Sequence, residues 1–208
     1  MMRYHPLIKR ALEIPLEKIF RAYFQVGSDV TSWRPDWNFD ESYAADPDGG
    51  GVLLDLCHEI DIALLLCGSA EIMSVRATSH PEVKGVDVAC DVDFGDNEGL
   101  NFRVSMDYLS PSVIRTGSIV GIDAVLKYDL SEGELIYITS ESAEKYTFKS
   151  DRNEMFLECM SDFMALVEGR PTSNPHIPLL ADVRSVCLTV AKAWERRKFT
   201  DRLGWGNL

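Results

Sequence analysis

Residues 86–108 read VDVACDVDF, GDNEG, LNFRVSMDY. Val86, Val88, Cys90, Val92 and Phe94 alternate with Asp87, Ala89, Asp91 and Asp93. After the turn Gly95–Gly99, Leu100, Phe102, Val104, Met106 and Tyr108 alternate with Asn101, Arg103, Ser105 and Asp107. Successive strand side chains point to opposite faces, so this period of two predicts a hairpin with one buried and one polar face.

Further strands are expected downstream at Val113–Val120, Ala124–Asp129, Glu134–Thr139 and Lys145–Phe148. Their short connections predict antiparallel neighbours, because parallel strands need long crossovers. Upstream, Lys18–Gly27 is rich in β-branched and aromatic residues and alternates Phe20, Ala22, Phe24 and Val26 with Ile19, Arg21, Tyr23 and Gln25, which predicts one more strand. A short helix over Pro6–Glu13 is stopped by Pro15. Residues 28–48 form a long loop containing Trp33, Trp37 and Tyr43. Loops of that length are functional or disordered, and tryptophan argues against disorder.

Two helices close the chain. Asp151 with Glu154 has the pattern of a capping box, and Gly169 and Pro171 end the helix it opens. Pro178 suits the first turn of a last helix to about Arg197, with an apolar stripe of Leu179, Val183, Val186, Cys187, Val190 and Trp194. A run of strands with helices at its ends predicts the α+β class. Residues 1–208 then form one domain, a large mainly antiparallel sheet with helices packed on one face.

Composition narrows the function. The 208 residues are 46% hydrophobic and 26% charged, ordinary for a globular domain. They are too few for a dehydrogenase with nucleotide and substrate domains of about 150 residues each. A net charge of −12 with scattered Lys and Arg speaks against nucleic acid as a partner. The one dense basic group, Arg196-Arg197-Lys198, reads as favourable charge at a helix C-terminus. No segment has the unbroken apolar length of a membrane span, and the first residues lack the apolar core of a signal peptide. The 5 cysteines are odd in number and contain no Cys-x-x-Cys, which predicts reduced, buried thiols in a cytoplasmic protein. His80 and His176 read as surface-loop residues. Neither Gly-x-Gly-x-x-Gly nor a P-loop motif occurs.

The chemistry concentrates in residues 49–68, GGGVLLDLCHEIDIALLLCG. One helix is expected over 49–67, with Gly68 as its C-cap. At 100° per residue Leu53, Leu56, Cys57, Ile60, Leu64 and Cys67 share a core face. Asp55 and His58 stand on the other side, yet that side also carries Leu54, Ile62 and Leu65, so it too should be covered, either by a further domain or by self-association. A buried acid and histidine are costly unless partnered, which makes them a candidate site. Three readings compete: Asp55 as a helix cap with His58 satisfied by a backbone carbonyl, an acid/base pair, and a metal site with Asp61. The metal reading is the weakest, since one histidine is not the usual ligand signature, and no metal is expected. Cys57 lies on the core face, where a thiol is inert. Gly49-Gly50-Gly51 is either a flexible helix start or a place where a ligand approaches backbone.

At this segment the chain resembles the Gfo/Idh/MocA family of NAD(P)-dependent oxidoreductases, which carry a Gly-Gly-x-x-x-Asp…His-x-x-Asp helix at the active site. Here those positions are Gly50, Gly51, Asp55, His58 and Asp61. The opening Arg3-Tyr4-His5-Pro6 and the closing segment from Asp151 are also similar to the family's C-terminal domain. The family's commoner spacing sets the histidine one residue farther from the aspartate.

The resemblance implies a dihydrodipicolinate-reductase-like C-terminal fold, a sheet that mediates homo-oligomers, and a separate Rossmann domain that this chain lacks together with the family's Glu-Lys-Pro lysine. It implies catalysis by His58 with Asp55 as partner. Arg3, Trp37, Tyr43, Gly50 and Gly51 would contact a sugar, sugar acid, polyol or nucleotide sugar. NAD or NADP would serve the full-length enzyme, with none bound by this chain alone. The alternative is a non-enzymatic dimerisation or sugar-binding module.

Overall fold

The computed structural model describes residues 1–35, 38–80, 83, 85–149 and 151–200. Nine strands form one sheet in the order β8-β7-β6-β5-β1-β4-β3-β2-β9. They are β1 (Arg21–Gly27), β2 (Glu71–Ser79), β3 (Asp87–Gly95), β4 (Asn101–Asp107), β5 (Ile114–Val120), β6 (Ala124–Asp129), β7 (Glu134–Thr139), β8 (Ala143–Thr147) and β9 (Lys198–Thr200). The helices are α1 (Pro6–Glu13), α2 (Val52–Asp55), α3 (His58–Cys67), α4 (Arg152–Val167) and α5 (Leu180–Glu195).

The sheet is mainly antiparallel, as its sequence pattern predicts. Two pairs depart from that pattern: β1 lies parallel to β4, and β2 parallel to β9. The connection from β1 to β4 runs through loop 28–48, α2, α3, β2 and β3, which supplies the length a parallel crossover needs. β2 escapes a reading by periodicity because its register against β3 shifts between Ile72 and Ser74. A bulge of this kind adds a residue and breaks the alternation.

The core lies between one sheet face and α2–α3. Phe94 stacks on Phe102 with ring centroids 4.7 Å apart, and Phe24 meets Phe102 edge-on at 6.2 Å. Leu53, Ile60 and Ile62 of α2–α3 are fully buried above these rings. Each such side chain stabilises the fold by about 1.5–3 kcal/mol.

The single helix expected over 49–67 is two helices. Glu59 N–H donates to the Leu56 carbonyl and Ile60 N–H to that of Cys57, both at 3.0 Å and three residues back, so the junction is a tight 3-10 turn. Another correction concerns the apolar surface. Ile62 is buried within the protomer, while Leu54 and Leu65 are partly buried and packed against the core. Exposed apolar residues gather instead on α4 (Phe156, Leu157, Met160, Val167) and on the first turns of α5, where Leu180 is 85% exposed. The stripe expected on α5 is buried at Val190, packed against the core at Val186 and Trp194, and exposed at Leu179, Val183 and Cys187.

Candidate functional site

The glycine run positions α2. Gly51 has φ +92, a region L side chains rarely adopt, and a Cβ there would sit 2.4 Å from Asp87 Oδ1. A Cβ on Gly50 would meet the Ala44 carbonyl at 2.5 Å. Both glycines are thus required by the chain's own packing. Asp87, at the start of β3, accepts the Leu53 N–H at 2.8 Å and forms a buried ion pair with Arg197. An acid from another strand therefore caps a helix that has no side-chain cap of its own. Arg197 also stacks on Trp194 at 4.3 Å, and Arg196 donates to the Ile72 carbonyl. These arginines stand at the C-terminus of α5, as the sequence predicts, and they also brace the C-terminal segment against β2 and β3.

Asp55 ends α2. Its carboxylate accepts the Tyr43 hydroxyl at 3.1 and 3.3 Å and the Tyr108 hydroxyl at 3.0 Å. Burial and the Asp55 charge raise both tyrosines, so both remain donors at neutral pH. Tyr43 is delivered by loop 28–48 and is 55% exposed, while Tyr108 is fully buried at the end of β4. Tyr108 was not foreseen. The signal was a tyrosine on the apolar face of its strand, because a buried hydroxyl needs a partner.

His58 opens α3 and turns elsewhere. No hydrogen bond joins its ring to the Asp55 carboxylate. The Asp55 backbone raises the ring's pKa, and by less than the other groups around the ring act on it. His58 lines a cavity of about 570 Å³ together with His5, Arg115, Ser131 and Arg152. Although 38% of its side chain reaches solvent, desolvation and the Arg115 charge lower its pKa to about 4. His5 is lowered to about 4 by the same two causes, and its Nδ1 accepts the Leu7 N–H at 3.2 Å. Both rings are neutral near pH 7.

Next to His58 stands Glu59, fully buried and ion-paired with Arg115 of β5. Burial raises its carboxyl, and Arg115 partly opposes the rise. Glu59 was missed because its partner lies 56 residues away. Asp61, one turn on, is taken by Arg3, with Nε at 3.1 Å and a terminal nitrogen at 2.5 Å. Arg3 is 6% exposed and also donates to the His176 carbonyl. The structure thus sends Asp55, His58 and Asp61 to three separate partner sets.

The remaining expectations divide. Trp37 lies outside the described residues. His80 is buried and stacked on Phe39 at 5.0 Å, so it is not a surface residue. Among the free cysteines only Cys90 is buried, and Cys187 is exposed, against the expectation of uniformly buried thiols. Burial raises the Cys57 thiol, consistent with an inert group. No helix among the described residues is long and apolar enough to cross a membrane.

The glycine run does not fit a dinucleotide. It follows a 3-10 turn, not a strand, and the Leu53 N–H at the start of α2 is already spent on Asp87.

A nine-stranded mixed sheet with α2–α3 on one side is the C-terminal-domain fold of Gfo/Idh/MocA-type oxidoreductases. In particular, levoglucosan dehydrogenase in complex with NADH and levoglucosan is similar over 94% of this chain and 62% of its own, at 19% identity and a TM-score of 0.75. UDP-N-acetylglucosamine 3-dehydrogenase GnnA from Acidithiobacillus ferrooxidans is 18% identical over 94% of this chain and 58% of its own, with a TM-score of 0.69. An oxidoreductase domain protein from Kribbella flavida gives 18%, 94%, 61% and 0.73 for the same measures. The chain thus spans less than two thirds of the length of these solved structures. No protein-family model and no curated protein sequence matches the chain.

Proposed function

We propose that this chain is the substrate-binding domain of an NAD(P)-dependent oxidoreductase acting on a sugar, sugar acid, polyol or nucleotide sugar. In this reading His58 moves the substrate's proton. The observation that carries it is the neutral His58 ring on the wall of a cavity large enough for a small sugar-like molecule. The structural neighbours that act on sugars support the same assignment.

In this reading His58 takes the proton of a substrate hydroxyl, or returns one to a carbonyl. Asp55 acts as a positioning residue at the end of α2, its carboxylate fixed by two tyrosines. Tyr43 contacts the substrate from the loop, a role the family resemblance also implies for Trp37. Gly50 and Gly51 let α2 approach the loop and β3, and Arg3 steadies α3 through Asp61. The dinucleotide is held by a separate domain, and the chain alone is inactive. The sheet face away from the helices, where Tyr23 and Met73 are exposed, serves a homo-oligomer.

The test is turnover of a sugar and polyol panel with NAD and NADP by a polypeptide joining this chain to a dinucleotide-binding domain. Replacing His58 by Ala should cost about 10²–10⁴ in kcat, the usual range for a lost proton-transfer group. Calorimetry on the chain alone should give no dinucleotide titration. Full activity of the His58→Ala protein would sink the proposal.

A further inference from the structure

The cavity beside His58 has a charge pattern at odds with the rest of the molecule. The protein carries a net charge of −12, yet no carboxylate lines this cavity among the described residues. Two arginines do. Arg152 opens α4 and is exposed. It makes no ion pair among the described residues, and its only ring contact is with Phe156 of its own helix, at 5.5 Å. Arg115 has its Nε and one terminal nitrogen on Glu59, which offsets its charge. A guanidinium has five N–H donors, and those of the second terminal nitrogen are not engaged by Glu59, which leaves them for the cavity that Arg115 also lines.

Of the acids nearest in sequence or space, Asp61 is paired with Arg3, Asp151 accepts the Asn153 N–H at 2.8 Å, and Asp129 accepts the Ser131 N–H at 2.8 Å. His58, His5 and the Ser131 hydroxyl line the wall without charge, and Met2 contributes an apolar surface. An arginine fork presented with neutral donors suits a planar or tetrahedral anion. The apolar wall and the volume suit a body larger than the anion itself.

We propose that this cavity selects a ligand joining a sugar- or polyol-sized body to one anionic group, a carboxylate or a phosphate, held by Arg152 and Arg115. The inference rests on the reading of this cavity as the substrate's, and it narrows the substrate class to anionic members.

The chain is titrated by calorimetry with D-glucuronate, glucose 6-phosphate, glucose and inorganic phosphate. One or both sugar anions should bind at least ten times more tightly than either glucose or inorganic phosphate; which of the two leads identifies the anionic group. Arg152→Gln, at an exposed position that leaves the core intact, should weaken the sugar anions about tenfold, the order expected for one charge-assisted hydrogen bond. It should leave glucose unchanged, and Arg152→Lys should restore most of the loss.

Equal binding of glucose and the sugar anions overturns the proposal. So does inorganic phosphate binding as well as the sugar anions, or a preference that survives Arg152→Gln. The oxidoreductase reading fails separately. An Arg152-dependent preference in a protein with no turnover keeps the binding site and removes the reaction. His58-dependent turnover of neutral sugars, with no such preference, does the reverse.

Discussion

Helices α2 and α3 are neighbours in sequence and opposites in construction. In α2 the acid is locked: Asp55 accepts two tyrosine hydroxyls, and the helix start is tied to Asp87, itself held by Arg197. In α3 the buried Glu59 and the half-buried Asp61 are locked by arginines from distant segments, and the histidine at its head is left facing a cavity. The difference shows how a broken helix can keep one group fixed and present the next. The 3-10 turn at Leu56–Cys57 separates them, so the two halves answer to different anchors.

The largest effects should come from cutting those anchors. Arg197→Met leaves Asp87 as an uncompensated buried charge, and Arg115→Met does the same to Glu59. Each should cost about 3–5 kcal/mol in urea denaturation. The comparison sharpens if the damage is local. Arg197→Met should increase amide exchange in 52–55 ahead of 58–67, and Arg115→Met the reverse. Equal loosening of both helices in both variants would mean that the two are one cooperative unit.

Next in size is the response to acid. The folded pKa values of His5 and His58, about 4, lie below the ordinary 6.5. Between these values the unfolded chain binds more protons, so stability is complete above pH 6.5 and falls as pH drops toward 4. His5 is only 4% exposed, and charging it also breaks its hydrogen bond to the Leu7 N–H. Its share is about 2–3 kcal/mol at full protonation. His58 adds less, because solvent screens its half-open side. His5→Gln should flatten the acid limb of stability against pH. An unchanged limb would mean that His5 is not charged on unfolding in that range.

Gly51→Ala should follow, at about 1–3 kcal/mol for a side chain forced into a positive-φ conformation. It also drives a Cβ toward Asp87, so the α2 anchor should loosen while His58 and its cavity hold. Unchanged stability would show that Gly51 is not the hinge of α2.

Much of the fold was legible because most strands follow local rules. β6 and β7 have the bounds their alternation predicts, and α4 begins after its Asp151 cap. What periodicity could not show was tertiary in origin. β2 hides its alternation behind a bulge, and β9 is a strand only because Arg196 and Arg197 are held against β2 and β3. The break in the site helix has no glycine or proline to announce it. Leu56 and Cys57 read as core residues, and the turn forms where helices pinned by separate ion pairs must meet. The positions of Asp55 and His58 could therefore be read from sequence, whereas their separation could not.

The smallest effect tests that separation most closely. Tyr108→Phe deletes a buried donor to Asp55 and should cost about 1–1.5 kcal/mol, whereas Tyr43→Phe, at an exposed site, should cost a few tenths. Each hydroxyl compensates for the other at a shared carboxylate, so the double variant should lose more than the sum of the two. The pH dependence of the His58 ring, followed by NMR, should stay put in both single variants, because the Asp55 carboxylate is bonded to the two tyrosines and not to the ring. Movement of the His58 titration by half a unit or more in Tyr108→Phe would mean that the Asp55 carboxylate does reach the ring, and that α2 and α3 act as one site after all.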